Sequence, residues 1–349
     1  MLKPYNRAEL VFDLIAEIGA EGKNSTVYRA HDHQLNAELV VKKIAKKSVG
    51  DVNAFFSEAS ILYETQHDNV VPVYYACEDA DSIYIAMPFF PNGSLNALLE
   101  RRFLTVREIV RYSLQFLSGL HNIHSKKLIH FDIKPDNILL TRRDEAVISD
   151  FGLAKRMDGA GLAVQGFTYT KIIPPERLDG AVGHTVLHDI YQVGVTLYRM
   201  CAGNAAFYNQ WESFCKDGKL QVQPFIDAVK GGRFPQRDEL PEHIPQKLRN
   251  IVAKCLEADP AQRYASVLSV MNDLAAIDGP ELDWHFSHTA DGGRKWSRTF
   301  DGCECYIEVD ASGQSIARKQ KRNGQYVAIN AYCDDNLSRR KLKSFFKEA

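Results

Sequence analysis

Residues 130–137, His-Phe-Asp-Ile-Lys-Pro-Asp-Asn, and the Asp150-Phe151-Gly152 that follows constrain this chain more than anything else in it. Between Asn137 and Asp150 stand Ile138-Leu139-Leu140, a charged turn, and Ala146-Val147-Ile148-Ser149. Two short apolar runs joined by a charged turn read as a β-hairpin. A hairpin returns the chain, so Asp150 comes back close to Asn137. Asp132, Lys134, Asn137 and Asp150 then bring two carboxylates, an amide and a cation into one stretch. Phosphoryl transfer from ATP needs that set. One carboxylate receives or orients the attacking hydroxyl, an amide oxygen and a second carboxylate hold magnesium, and a cation steadies the moving phosphate.

In this order and spacing the motifs resemble the eukaryotic-type (eukaryotic-like) serine/threonine protein kinase family, over about residues 9–278. The resemblance implies an α+β, two-lobed fold, with a β-rich N-lobe over 1–89 and a helical C-lobe over 90–280. It also implies ATP and Mg2+, or Mn2+ in its place, and a protein substrate phosphorylated on serine or threonine. Asp132 would be the catalytic base, with Lys134 beside it. Asn137 and Asp150 would hold the metal. Lys42, in Leu39-Val40-Val41-Lys42, matches the third-strand lysine that grips the α- and β-phosphates, and Glu58 matches the helix acid that pairs with it. Lys43 falls on the opposite face of the same strand.

The remaining matches frame the nucleotide and brace the lobes. The phosphate-covering turn runs from Ile18 through Gly19, Gly22 and Ser25 to Val27. Counting back from Val27 puts Gly22, Ser25 and Ala20 at the three glycine places, while a one-residue insertion would make Gly19 the first. Either way the turn is poor in glycine, whose lack of a side chain lets backbone amides approach phosphates. Met87 matches the residue guarding the back of the adenine pocket, and the backbone of Pro88 and Phe90 would meet the adenine edge. Lys134, two residues after the base, marks the serine/threonine class. Glu176 would pair with Arg263, and Asp189 would brace the catalytic loop.

One departure concerns control. Phe131 stands where the family usually has an arginine that receives a phosphate from the activation loop. Phenylalanine cannot form that charge-assisted bond. The loop from Leu153 to Ile173 contains Thr168, Tyr169 and Thr170, which align poorly with the family's G-T-x-x-Y run. Activity without loop phosphate is therefore expected.

Periodicity supports the two-lobe order. Val11–Ile18, Thr26–His31, Ala37–Ile44, Val70–Cys77 and Ser82–Phe89 read as strands, and Asn53–Glu64 as a helix. Val106–His124, Asp189–Met200 and Ile244–Leu256 read as helices.

Residues 281–349 match no family. Asp301-Gly302, Ala311-Ser312-Gly313 and Asn323-Gly324 are turn signals, so a four-stranded antiparallel β-meander is expected. A terminal helix opening at Asp334-Asp335 would cover it through Leu342, Phe345 and Phe346. Cys303, Cys305, Cys333, His285 and His288 lack the spacing of paired C-x-x-C knuckles and read as packing residues before metal ligands. This module could dock a substrate or a regulator. Its basic residues, among them Arg318, Lys319, Lys321 and Arg322, read as a solvated face ahead of an acidic-partner or RNA surface.

Composition excludes little but is consistent. Lysine and arginine total 43 against 44 aspartate and glutamate, so bulk charge points to neither nucleic acid nor membrane. No run reaches transmembrane length, the N-terminus lacks an apolar leader, and seven scattered cysteines suit a reducing, cytoplasmic compartment. Two competing readings are a pseudokinase or ATP-binding scaffold, favoured by the glycine-poor turn, and a small-molecule kinase. The latter usually lacks Lys134 and the Glu176/Arg263 scaffold.

Overall fold

The computed structural model describes residues 10–22, 25–46, 60–61, 63–238 and 240–348. Five antiparallel strands open the chain: β1 (Phe12–Gly22), β2 (Ser25–Asp32), β3 (Ala37–Ala45), β4 (Tyr75–Glu78) and β5 (Ser82–Pro88). They lie in the order β1-β2-β3-β5-β4. Strand alternation sorts β3 into two faces. Leu39 and Val41 pack with Ala30 and Ala86 on one side. Ile44 packs with Ile85 and Met87 on the other. Lys42 shares the side of Ile44, and Lys43 the side of Val41. The strand expected over Val70–Cys77 is shorter, beginning at Tyr75, because the Val71 N–H is drawn to the Ile148 carbonyl at 2.9 Å instead of to the sheet. Of the helix expected over Asn53–Glu64, only residues 60–61 and 63–64 at its end lie among the described residues, so Glu58 lies outside them.

The next part is helical. α1 (Leu95–Arg101) leads to α2 (Val106–Ser125). Thr105 and Glu108 close a reciprocal capping box at the α2 N-terminus, which satisfies two otherwise orphaned N–H groups. Ile109, Tyr112, Phe116, Leu120 and Ile123 recur at helical spacing and are all buried. Then come β6 (Leu128–Ile129), the hairpin of β7 (Ile138–Leu140) and β8 (Ala146–Ile148), β9 (Lys155–Arg156) and α3 (Pro175–Leu178). α4 (Leu187–Ala202) is buried along nearly its whole length. α5 (Asn204–Glu212), a short pair β10 (Cys215–Lys216) and β11 (Lys219–Leu220), α6 (Val222–Lys230), α7 (Gln246–Cys255) and α8 (Val267–Ala275) complete this part. α4 meets α7 closely at Gly194, where a Cβ would come within 2.8 Å of Cys255 and Leu256.

Beyond α8, a second antiparallel sheet holds five strands in chain order: β12 (His285–His288), β13 (Arg294–Phe300), β14 (Cys303–Val309), β15 (Ser315–Gln320) and β16 (Tyr326–Ala328). The expected meander thus gains a strand. β12 buries only Phe286, which left too little hydrophobic pattern to read. The terminal helix α9 (Arg339–Glu348) starts later than expected. Asp334 is drawn to the sheet instead, its carbonyl accepting the Ser315 N–H at 2.8 Å. Leu342, Phe345 and Phe346 of α9 do pack with Trp284, Trp296, Ile307 and Tyr332. Cys305 belongs to this core. Among the described residues no helix is long and apolar enough to cross a membrane.

The second sheet is keyed into the helical part. Trp296 Nε1–H donates to His243 Nδ1 at 3.1 Å. Phe103 and Phe286 meet edge to face at 4.6 Å. Arg107 forks onto Asp283 at 2.6 and 3.0 Å, and Arg294 reaches Glu242 at 2.6 Å.

Candidate active site

The β7–β8 hairpin does what its sequence implies. Ser149 N–H donates to the Asn137 carbonyl at 2.8 Å, so Asp150 leaves the hairpin next to Asn137. Asp132 is 1% exposed. Asn137 Nδ2 donates to its carboxylate at 2.7 Å and to its backbone carbonyl at 3.0 Å. That orientation commits the amide nitrogen and leaves the side-chain oxygen, Asn137 Oδ1, for a ligand. Lys134 Nζ lies 3.2 Å from the same carboxylate oxygen, Oδ2. The other oxygen, Asp132 Oδ1, is buried without a hydrogen-bond partner among the described residues. Burial is the main cause that pushes the Asp132 carboxyl up to about 7, and the Asp150 charge adds to it against the pull of Lys134.

Asp150 behaves oppositely. Burial works to raise its pKa, but Lys42, 3.0 Å away, and His130 outweigh it and hold the carboxyl at about 2. Two neighbouring carboxylates are thus driven apart, one poised near neutrality and one firmly ionised. Lys43 instead lies over the Tyr84 ring at 5.7 Å.

The loop carrying Asp132 is held from below by α4. The Asp189 carboxylate accepts the N–H groups of His130 at 2.9 Å and Phe131 at 2.8 Å, and contacts His124 Nε2 at 2.8 Å. Gln192, one turn on, accepts the Ile133 N–H at 2.9 Å and donates to the Phe131 carbonyl at 3.0 Å. Sequence reasoning missed Gln192, although its place three residues after Asp189 on one helix face was a usable signal. Arg263 grips Glu176 through two bonds of 3.0 and 2.7 Å.

Phe131 has a φ of 67° and is fully buried. Its ring meets His188 at 4.8 Å and His184 at 5.9 Å, both edge to face. His184 exchanges backbone hydrogen bonds of 2.9 Å with Ala163. The loop carrying Asp132 is therefore tied by aromatic contact to the segment after Asp150. In that segment the Tyr169 ring sits 3.5 Å from Lys134 Nζ, a cation–π contact, and Thr168 Oγ1 is buried without a partner among the described residues.

The other residues expected to meet the nucleotide lie on β1, β2, β5 and the turn after β5. Gly19 stands opposite Val27, and Gly22 opposite Ser25, with register shifts on either side. Val27 stands opposite Lys42. Ile18 is exposed on β1. Met87 and Pro88 end β5 opposite Val40 and Leu39, and the Phe90 carbonyl accepts the Gly93 N–H at 3.0 Å as the chain turns out of the sheet.

Two of these groups fit a magnesium ion. Magnesium prefers oxygen ligands. Asp150, held ionised and bonded to Lys42 at 3.0 Å, and the side-chain Oδ1 of Asn137, left over once Nδ2 is committed to Asp132, are oxygen donors of the kind such an ion takes.

The profile of the protein kinase domain family matches residues 12–274. Mitogen-activated protein kinase kinase kinase 5 of Homo sapiens is 29% identical over 261 residues, which cover 73% of this chain and 18% of that protein. A probable serine/threonine-protein kinase of Clostridium acetobutylicum is 27% identical over 271 residues, covering 75% of this chain and 39% of its own length. A probable serine/threonine-protein kinase of Zea mays is 31% identical over 232 residues, covering 64% of this chain and 35% of its own. The chain spans well under half of each of these relatives. Members of the family use ATP and magnesium. With the family profile covering most of its length and the Lys42, Asp132, Asn137 and Asp150 set assembled in one place, the chain belongs to the protein kinase family.

Proposed function

We propose that this chain is an ATP-dependent serine/threonine protein kinase that works without phosphate on its activation segment. The observation that carries the reading is the Asp132 carboxylate, buried, unpartnered at Oδ1 and pushed up to about 7. A carboxylate near neutral pKa both receives a proton and orients the hydroxyl that gives it. Lys134, bound to the other carboxylate oxygen, supports charge on the moving phosphate. Asn137 and Asp150 would hold magnesium, which when bound neutralises charge on the nucleotide phosphates. Lys42 would grip the α- and β-phosphates, and Glu58 would pair with it. Ile18, Gly19, Gly22, Ser25 and Val27 would cover the phosphates, and Met87, Pro88 and Phe90 would frame the adenine. Incubation with radiolabelled ATP, magnesium and a generic protein substrate tests this. Label on serine or threonine supports the reading, and the absence of label favours an ATP-binding scaffold.

Independence from loop phosphate is supported by Phe131. A phosphate–arginine pair would order the segment electrostatically, whereas here Phe131, His184 and His188 pack it apolarly against the catalytic loop. The division into 1–89, 90–280 and 281–349 is part of the proposal, as are a cytoplasmic setting and a C-terminal module that docks a substrate or regulator.

A further inference from the structure

α9 has two unlike faces. One closes the module core through Leu342, Phe345 and Phe346. On the other, Arg339, Arg340, Lys343 and Lys347 are exposed. With Ser344 they line an open concavity of about 370 Å³. Arg339, Lys343 and Lys347 recur at every fourth position, so three cations stack along about 12 Å of helix.

None of these four side chains has an ion pair or hydrogen bond among the described residues. Among the described residues, three acids of this region are engaged elsewhere. Glu242 binds Arg294 at 2.6 Å, Asp334 binds Lys341 at 2.8 Å, and Glu348 accepts the Tyr332 hydroxyl at 2.5 Å. Arg249 of α7 adds a fifth charge, its guanidinium pinned by the carbonyls of Leu240, Pro241 and Ile244 and neutralised by none of them. Partial burial, then Arg249 and Arg339, lower the Lys343 pKa. Like charges one turn apart repel. Arg339 and Arg340 also open the helix, where the dipole disfavours cations. The cluster works against its own helix, and an external anion would relieve it.

Three anions could be considered, and the lining separates them. A nucleic-acid strand calls for a longer basic track and aromatic platforms, and this lining holds no aromatic residue. An anionic membrane holds a basic cluster firmly only where an apolar anchor accompanies it, and the lining has none. A phosphate on a protein segment is compact, carries roughly two negative charges and suits forked arginine donors. We infer that the Arg339–Lys347 face of α9, backed by Arg249, binds a phosphorylated segment of a protein partner. This rests on the proposed docking role of the C-terminal module.

Fluorescence anisotropy on the full chain tests it, using a labelled peptide with two phosphoserines in an uncharged background. The expected result is binding at least ~10-fold tighter than to the unphosphorylated peptide. Arg340→Glu/Lys343→Glu should lose that preference. The milder Arg340→Gln/Lys343→Gln should weaken it with an unchanged melting temperature. Equal affinity for both peptides, undiminished binding by both variants, or a preference for single-stranded RNA or phosphatidylserine vesicles would overturn the inference. Both variants should phosphorylate a generic peptide at the wild-type rate. A chain that binds the phosphopeptide but transfers no phosphate would leave this inference standing and sink the kinase reading.

Discussion

The Lys42 ammonium lies 3.0 Å from the Asp150 carboxylate and joins the five-stranded sheet to the β7–β8 hairpin across 108 positions of sequence. Its neighbour Lys43 points the other way, over Tyr84. Lys42→Met should therefore lower phosphoryl transfer by ~10²-fold or more, because it removes charge stabilisation from the reacting phosphates. Lys43→Met removes one exposed-side cation–π contact, worth about 0.5–1 kcal/mol at most, and should leave the rate near wild type. Parallel rate measurements on the two variants check this. A dead Lys43 variant would show that the other face of β3 serves the nucleotide.

Acid should loosen the tie between Phe131 and α4. Burial pulls the His188 imidazole down to about 3. The Asp189 charge opposes that pull, and His184, Arg177 and Arg263 add to it. An unfolded histidine titrates near 6.5. The unfolded chain thus binds the extra proton first, and stability rises with pH between about 3 and 6.5. The contribution is whole above about 6.5 and is lost as pH falls towards 3. His188→Phe should flatten the fall of melting temperature across that window. An unchanged slope would show that other groups carry the acid sensitivity.

The second sheet should matter to the stability of the whole chain. Trp296 is fully buried and donates to His243. Trp296→Ala should cost about 3–5 kcal/mol and unpair a buried imidazole. Thermal unfolding followed at the tryptophans and by circular dichroism would report it. A melting temperature within a degree or two of wild type would mean that the module folds apart from the helical lobe.

Which residues come together was the most legible part of the sequence. Asp132, Asn137 and Asp150 are joined by a hairpin whose apolar runs and charged turn are local signals. The alternation that separates Lys42 from Lys43 is equally local. The contact of Phe131 with His184 and His188 was not legible, because it spans more than fifty positions of chain and depends on where α4 packs. β12 was missed because only Phe286 of its four residues is buried, too little for a period to show. The start of α9 was misplaced because Asp334 and Asp335 resemble a helix opening, while the Asp334 backbone is captured by Ser315. That capture is tertiary, and no local pattern encodes it.

Loop phosphate should be dispensable. Phosphatase treatment, with loss of phosphate at Thr168, Tyr169 and Thr170 verified by mass spectrometry, should leave the initial rate unchanged. A large drop that recovers as phosphate returns would show that another cation serves in the arginine's place, and that the packing around Phe131 does not suffice.

In the proposed reaction Asp132 serves the transfer step rather than nucleotide binding. Single-turnover transfer from radiolabelled ATP should be measured for wild type and Asp132→Asn, alongside the affinity of each for a fluorescent ATP analogue. The expected result is similar affinities and a transfer rate lower by ~10²–10³ or more in the variant. Equal transfer by both proteins, or no transfer by the wild type, would contradict it.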